Sequence, residues 1–98
     1  MNMQSLMMQA KKMQKDMEKA QKELESKVYT GKSQLVSANI SGANKLLSVK
    51  IDMDELSIDD KDMLEDMILV AINDAINQME KDKEEKFGKY GQMFNGLM

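Results

Sequence analysis

The chain has 98 residues, room for one domain, and its 42% hydrophobic and 32% charged content suits a folded soluble protein. It contains no His, Cys, Trp, Pro or Arg, which excludes disulfides, zinc sites, thiolate nucleophiles and imidazole bases; catalysis would rest on Asp, Glu, Lys, Ser or Tyr, and a non-enzymatic chain without cofactor or metal is expected. The net charge of −3 divides unevenly, with nine Lys against four acids in residues 1–50 (+5) and five Lys against thirteen acids in residues 51–98 (−8), as in a chain with one polyanion-facing end or in one with two unlike solvated helices.

Residues 1–12 lack the apolar core of a secretory signal. From Met3, apolar residues recur at spacings of three and four: Met3, Leu6, Ala10, Met13, Met17, Ala20, Leu24. This heptad seam, free of Gly and among good helix formers, predicts a helix over about 3–26. The stripe is narrow, so the helix suits one partner surface rather than a deep core, and its methionines are adaptable packing.

The period then changes to two. Val28 to Thr30, Leu35 to Ser41 and Lys45 to Asp52 read as three short antiparallel strands within about 27–52. Val36, Ala38 and Ile40 fall on one face, as do Leu47, Val49 and Ile51. Ser41-Gly42-Ala43-Asn44 reads as a hairpin turn, since Gly and Asn tolerate positive φ.

Ser57-Ile58-Asp59-Asp60 has the form of a capping box and opens a second helix over about 58–87. Leu64, Met67, Ile68, Ala71, Ile72, Ala75, Ile76 and Met79 form a stripe wide enough to cover a sheet. The longest apolar run, Met67 to Ile72, is far short of the ~20 residues that span a bilayer, so no membrane partner is expected and a cytosolic location is. Every residue from Glu80 to Lys86 is charged, which points that stretch into water. Gly88, Gly91 and Gly96 are expected to loosen a tail over 88–98, while Phe87, Tyr90 and Phe94 are candidates to dock.

The order helix, three strands, helix defines an α+β single domain over residues 1–98. So small a core seldom suffices alone, and the narrow seam and free sheet edges suit a second copy, so a homodimer is expected.

Met8-Gln9-Ala10, Lys12-Met13-Gln14-Lys15, Leu35-Val36, Ser41-Gly42, Val49-Lys50-Ile51-Asp52, Met63-Leu64-Glu65-Asp66 and Ala71-Ile72-Asn73-Asp74-Ala75 follow one another in a familiar order. With these pieces the chain resembles the YbaB/EbfC family of nucleoid-associated proteins over nearly its whole length. The resemblance implies an α–β–α protomer, a tightly paired dimer with protruding helices, and DNA binding in nucleoid organisation, which would place the protein at the nucleoid in the cytoplasm. Two departures stand out: Ser33-Gln34 replaces the family's frequent Gly-Gly, and Arg is missing.

Lys12, Lys15, Lys19 and Lys22, with Lys11 alongside, recur opposite the apolar seam. Such a ridge is either a solvated face or a surface that neutralises successive phosphates, and the family resemblance favours the second. Without Arg, the bidentate guanine contact is unavailable, so contacts should go to the backbone with little sequence preference. Four aromatics, three of them near the C-terminus, are too few for a single-strand stacking platform, which favours duplex DNA. Asp52, Asp54, Glu55, Asp59, Asp60, Asp62, Glu65 and Asp66 resemble a calcium loop poorly, because Leu56 and Met63 occupy ligand positions; they read as helix N-terminal acids. Asn73 and Asp74 read as hydrogen-bonding residues toward a strand or a partner protomer. The alternative to DNA binding is a protein–protein adaptor whose Met-rich first helix docks on a partner, without a small-molecule substrate.

Overall fold

The structure, a computed structural model, describes residues 2–97, with side chains described for residues 2–88. Its order is helix, three-stranded antiparallel sheet, helix: α1 (Met3–Ser26), β1 (Val28–Ser33), β2 (Val36–Ser41), β3 (Leu46–Ile51), a short 3-10 turn (Ile58–Asp60) and α2 (Lys61–Leu97).

α1 begins where Asn2 Oδ1 accepts the N–H of Ser5 at 2.8 Å. Leu24 is the one buried residue of this helix among those described; Met13, Met17 and Ala20 of the seam are half-buried and the rest is exposed. The helix is therefore anchored at its C-terminal end and projects from it.

The sheet order is β1-β2-β3. β1 and β2 pair from Val28↔Ser41 to Ser33↔Val36, and β2 and β3 from Val36↔Ile51 to Asn39↔Ser48. There the register slips, and Ile40 faces Leu46 rather than Leu47. Alternation alone puts Leu47 in the row with Val49 and Ile51; the irregularity inserts one residue and brings Leu46 into that row instead.

α2 crosses the sheet with Met67, Ala71, Ala75 and Met79, a row at intervals of four that is buried against β1 and β2. One core cluster joins Val36, Ala38, Met67 and Ala71; the other joins Leu24, Tyr29, Ile40, Ala75 and Met79. Gly31 allows this close crossing, since a Cβ there would run into the carbonyl of Ala71 and the amide nitrogen of Ala75.

Two expectations are corrected by the structure, the φ of Gly42 and the end of the second helix. Gly42 does not take positive φ; Asn44 does, at 65°, and Gly42 is needed because a Cβ would meet the carbonyl of Leu24. The second helix opens with a 3-10 turn, whose capping box joins Ser57 and Asp60 at 3.0 Å, and α2 proper starts at Lys61. It also runs on to Leu97 instead of ending at 87. Glycines inside a helix cost about 1 kcal/mol each but remove no hydrogen bond, and the chain has no proline to stop it. Docking of Tyr90 and Phe94 lies outside the described side chains, whereas Phe87 packs against the second core cluster.

The radius of gyration is 19.8 Å and the extents are 70 × 22 × 13 Å, against roughly 13 Å for a compact 100-residue domain. The two long helices account for the elongation, and α1 shares a groove with Lys83 and Phe87 of α2.

Candidate nucleic-acid interface

Lys11, Lys12, Lys15, Lys19 and Lys22 are all exposed on α1. At 1.5 Å per residue the ridge is ~16 Å long, matching about five phosphates of one DNA strand at 3.4 Å each. None of the five takes part in an ion pair among the described residues, where the pairs are Lys27–Asp82 and Lys61–Glu65. The helical repeat sets Glu18 and Glu25 along one flank of the ridge and Asp16 and Glu23 along the other. The basic surface is thus a strip bordered by acids. Lys22 also borders a groove of about 850 Å³ between the helices, whose apolar floor is Ala10, Met13, Met17 and Phe87.

A polar clasp holds the base of this arm. Asp82 Oδ2 accepts from the Tyr29 hydroxyl at 2.5 Å and from Lys27 Nζ at 3.0 Å. Burial, then the bond to Asp82, pushes the Tyr29 hydroxyl up to about 12. The same bond from Tyr29, followed by that from Lys27, holds the Asp82 carboxyl below its ordinary value, and the Lys27 ammonium is raised chiefly by Asp82. Composition alone sends the whole charged run from Glu80 to Lys86 into water, yet Asp82 turns inward. The sequence signal for this is its place three residues after the buried Met79, on the core side of the helical repeat.

Asp74, for which the sequence allows two roles, ties helix to strand: its Oδ2 accepts the backbone N–H of Lys32 at 3.0 Å. The acids from Asp52 to Asp66 gather where the sheet leads into α2, ~35 Å along that helix from Lys83 beside the arm groove. Among the described residues no group of three or more acids is placed to hold a metal ion, and no helix is long and apolar enough to cross a membrane.

These features define a helix–sheet–helix chain carrying an exposed lysine strip on a projecting helix. A statistical description of the YbaB/EbfC DNA-binding family matches residues 1–94, and the chain belongs to that family. The chain is 39% identical over 99 residues to a nucleoid-associated protein of Ligilactobacillus salivarius, covering 99% of this chain and 95% of the relative. It is 44% identical over 92 residues to one from Lactococcus lactis subsp. cremoris, covering 92% and 93%. Over 98 residues it is 42% identical to one from Enterococcus faecalis, covering 98% and 94%. The fold is also similar to the crystal structure of the uncharacterized protein HP0035 from Helicobacter pylori, with a TM-score of 0.68, 24% identity, and 100% and 99% coverage.

Proposed function

We propose that this protein is a nucleoid-associated protein that binds duplex DNA as a homodimer, at the nucleoid in the cytoplasm. Lys11, Lys12, Lys15, Lys19 and Lys22 supply backbone phosphate contacts with little sequence preference. The observation that carries the reading is the exposed lysine strip, free of ion pairs among the described residues, on the projecting α1 of a chain in a DNA-binding family. Lysine ammonium groups act as point charges, so each contact releases a counterion without reading a base edge.

The homodimer is supported by an uncovered apolar surface. α2 covers β1 and β2 but leaves the same face of β3 open, with Leu46 52% and Val49 38% exposed. Ile68, Ile72 and Ile76 lie half-buried beside it, and Leu69, 60% exposed, continues the patch around the helix. A contiguous apolar surface of this kind, next to a free strand edge, suits a second copy.

The test is fluorescence anisotropy with a generic duplex across a salt series. Log affinity should fall linearly with log salt, by about 0.9 per phosphate contact. Replacing Lys12, Lys15, Lys19 and Lys22 with Gln should remove most binding at unchanged helix content. Unchanged affinity in that variant refutes the α1 site.

A further inference from the structure

We propose that the open face of the sheet is a second contact surface for the duplex-DNA backbone, centred on Lys32 and Lys50. The inference rests on the DNA-binding reading and adds a surface remote from the α1 strip.

Alternation along the strands sends Tyr29, Gly31, Val36, Ala38 and Ile40 under α2 and turns their neighbours to the opposite face. Apart from the exposed Val28 at the start of β1, that face is polar and ordered. Thr30 Oγ1 donates to Asn39 Oδ1 at 2.6 Å, and Asn39 Nδ2 donates to Ser48 Oγ at 2.9 Å, which makes a ladder across all three strands. In the adjoining row Lys32 faces Ser37 and Ser37 faces Lys50. The two lysines therefore flank a hydroxyl, with backbones ~10 Å apart across two strand spacings. Both are exposed and neither is ion-paired among the described residues. Lys32, Gln34, Ser37, Lys50 and Asp52 line a concavity of about 210 Å³ there, room for a phosphate group with several waters at ~30 Å³ each.

Charge singles this surface out. Residues 28–51 hold Lys32, Lys45 and Lys50 and none of the chain's 17 acids, where a proportional share would be about four. Asp52, at the rim, is the one carboxylate lining the concavity. A solvated sheet face needs polarity but not a one-sided charge. Nor does the β1 edge need Lys32 as a guard against strand addition, because Asp74 and Gln78 already occupy it. The face bears no aromatic ring on which an unpaired base would stack, so a duplex backbone fits it better than a single strand.

The test is the double variant K32Q/K50Q beside the parent and the α1 quadruple variant, each in the same salt series. The slope of log affinity against log salt should shrink by about 0.9 for each lysine that no longer neutralises a phosphate, at unchanged helix content and melting temperature. Combining it with the α1 changes should remove the binding that the α1 variant retains. Acetylation of lysines in the complex gives an independent readout: Lys32 and Lys50 should be protected by duplex, while Lys61, near the acidic corner, should not. K32Q/K50Q with parental affinity and slope, or protection confined to α1, overturns the sheet surface and leaves the DNA-binding reading standing. A parent protein without salt-dependent duplex binding overturns both, and a preference for single-stranded RNA over duplex overturns the choice of ligand.

Discussion

The carboxylate of Asp74 stands 3.0 Å from the backbone N–H of Lys32, so a helix side chain occupies the place a neighbouring strand would take. Gln78 completes the seal, its Nε2 donating to the Thr30 carbonyl at 2.9 Å and to Asp74 Oδ2 at 3.3 Å. The outward carbonyl of Thr30 and N–H of Lys32 thus have partners, which discourages strand addition on that side. Asp74→Ala is expected to lower stability by ~1–2 kcal/mol, the worth of a charge-assisted hydrogen bond. Asp74→Asn keeps an acceptor oxygen and should lose less. Urea unfolding gives the stability, and amide exchange at Lys32 should accelerate in the alanine variant; an unaltered exchange rate would show that the bond does not protect the edge.

Gly31 sits where β1 touches the backbone of α2, between Ala71 and Ala75, both wholly buried. Gly31→Ala must push the helix off the strand and should cost ~3 kcal/mol, the upper range for overpacking a tight core. For a chain of this size that is a melting shift of roughly 10–20 °C. A variant melting within two or three degrees (roughly half a kcal/mol) of the parent would contradict so close a crossing.

Gln34 holds φ at 45°, a conformation in which an L side chain is crowded and glycine is not. It lies in the two-residue turn between β1 and β2, at the position of the family's frequent Gly-Gly. Gln34→Gly is expected to stabilise the protein by ~0.5–1 kcal/mol, relief of the left-handed strain outweighing the added freedom of the unfolded chain. Chemical denaturation checks this, and a destabilised variant would place the value of Gln34 in its side chain.

The Tyr29–Asp82 clasp makes stability depend on pH at both ends. Tyr29 is raised from 10 to about 12 in the folded chain, so its contribution is complete below pH 10 and declines as pH rises from there to about 12. Asp82 is lowered from 3.8, so its contribution is complete above that value and is lost as pH falls through the depressed one. Tyr29→Phe removes the hydroxyl bond. The difference between parent and variant in urea midpoint should be constant across neutral pH, then shrink in both windows. A difference that stays constant from pH 10 to 12 would refute the alkaline half.

The helix–sheet–helix order is legible in the sequence because each element advertises its own period: three and four in the Met3–Leu24 seam, two through Val36–Ile40, and a wide stripe from Leu64 to Met79. Relations between elements are not. The slip that trades Leu47 for Leu46 depends on the β2–β3 pairing. The roles of Gly31 and Gly42 depend on what crosses them in space, and the helical repeat turns Asp82 toward the core without showing that Tyr29 meets it there. The helical run past Gly88 shows that glycine weakens a helix without ending it. The lysine strip is readable from spacing alone, whereas the pairing of Lys32 and Lys50 across Ser37 needs the strand register.

That register also bears on the proposed contact between two copies. β1 is sealed by α2, while β3 has a strand partner on one side and bears Val49 opposite Ala38, on the helix side of the sheet but beyond the strands that α2 covers. Val49→Glu would place an unpaired carboxylate in the middle of the apolar contact between two copies, at ~3 kcal/mol or more. At 1.4 kcal/mol per decade, the dimer should dissociate about a hundredfold more readily. Val49 is 38% exposed in the single chain, so the protomer should keep its helix content. Light scattering across a dilution series should give a dimer for the parent and a monomer for the variant. A variant that remains dimeric moves the contact away from β3, and a monomeric parent removes the homodimer itself.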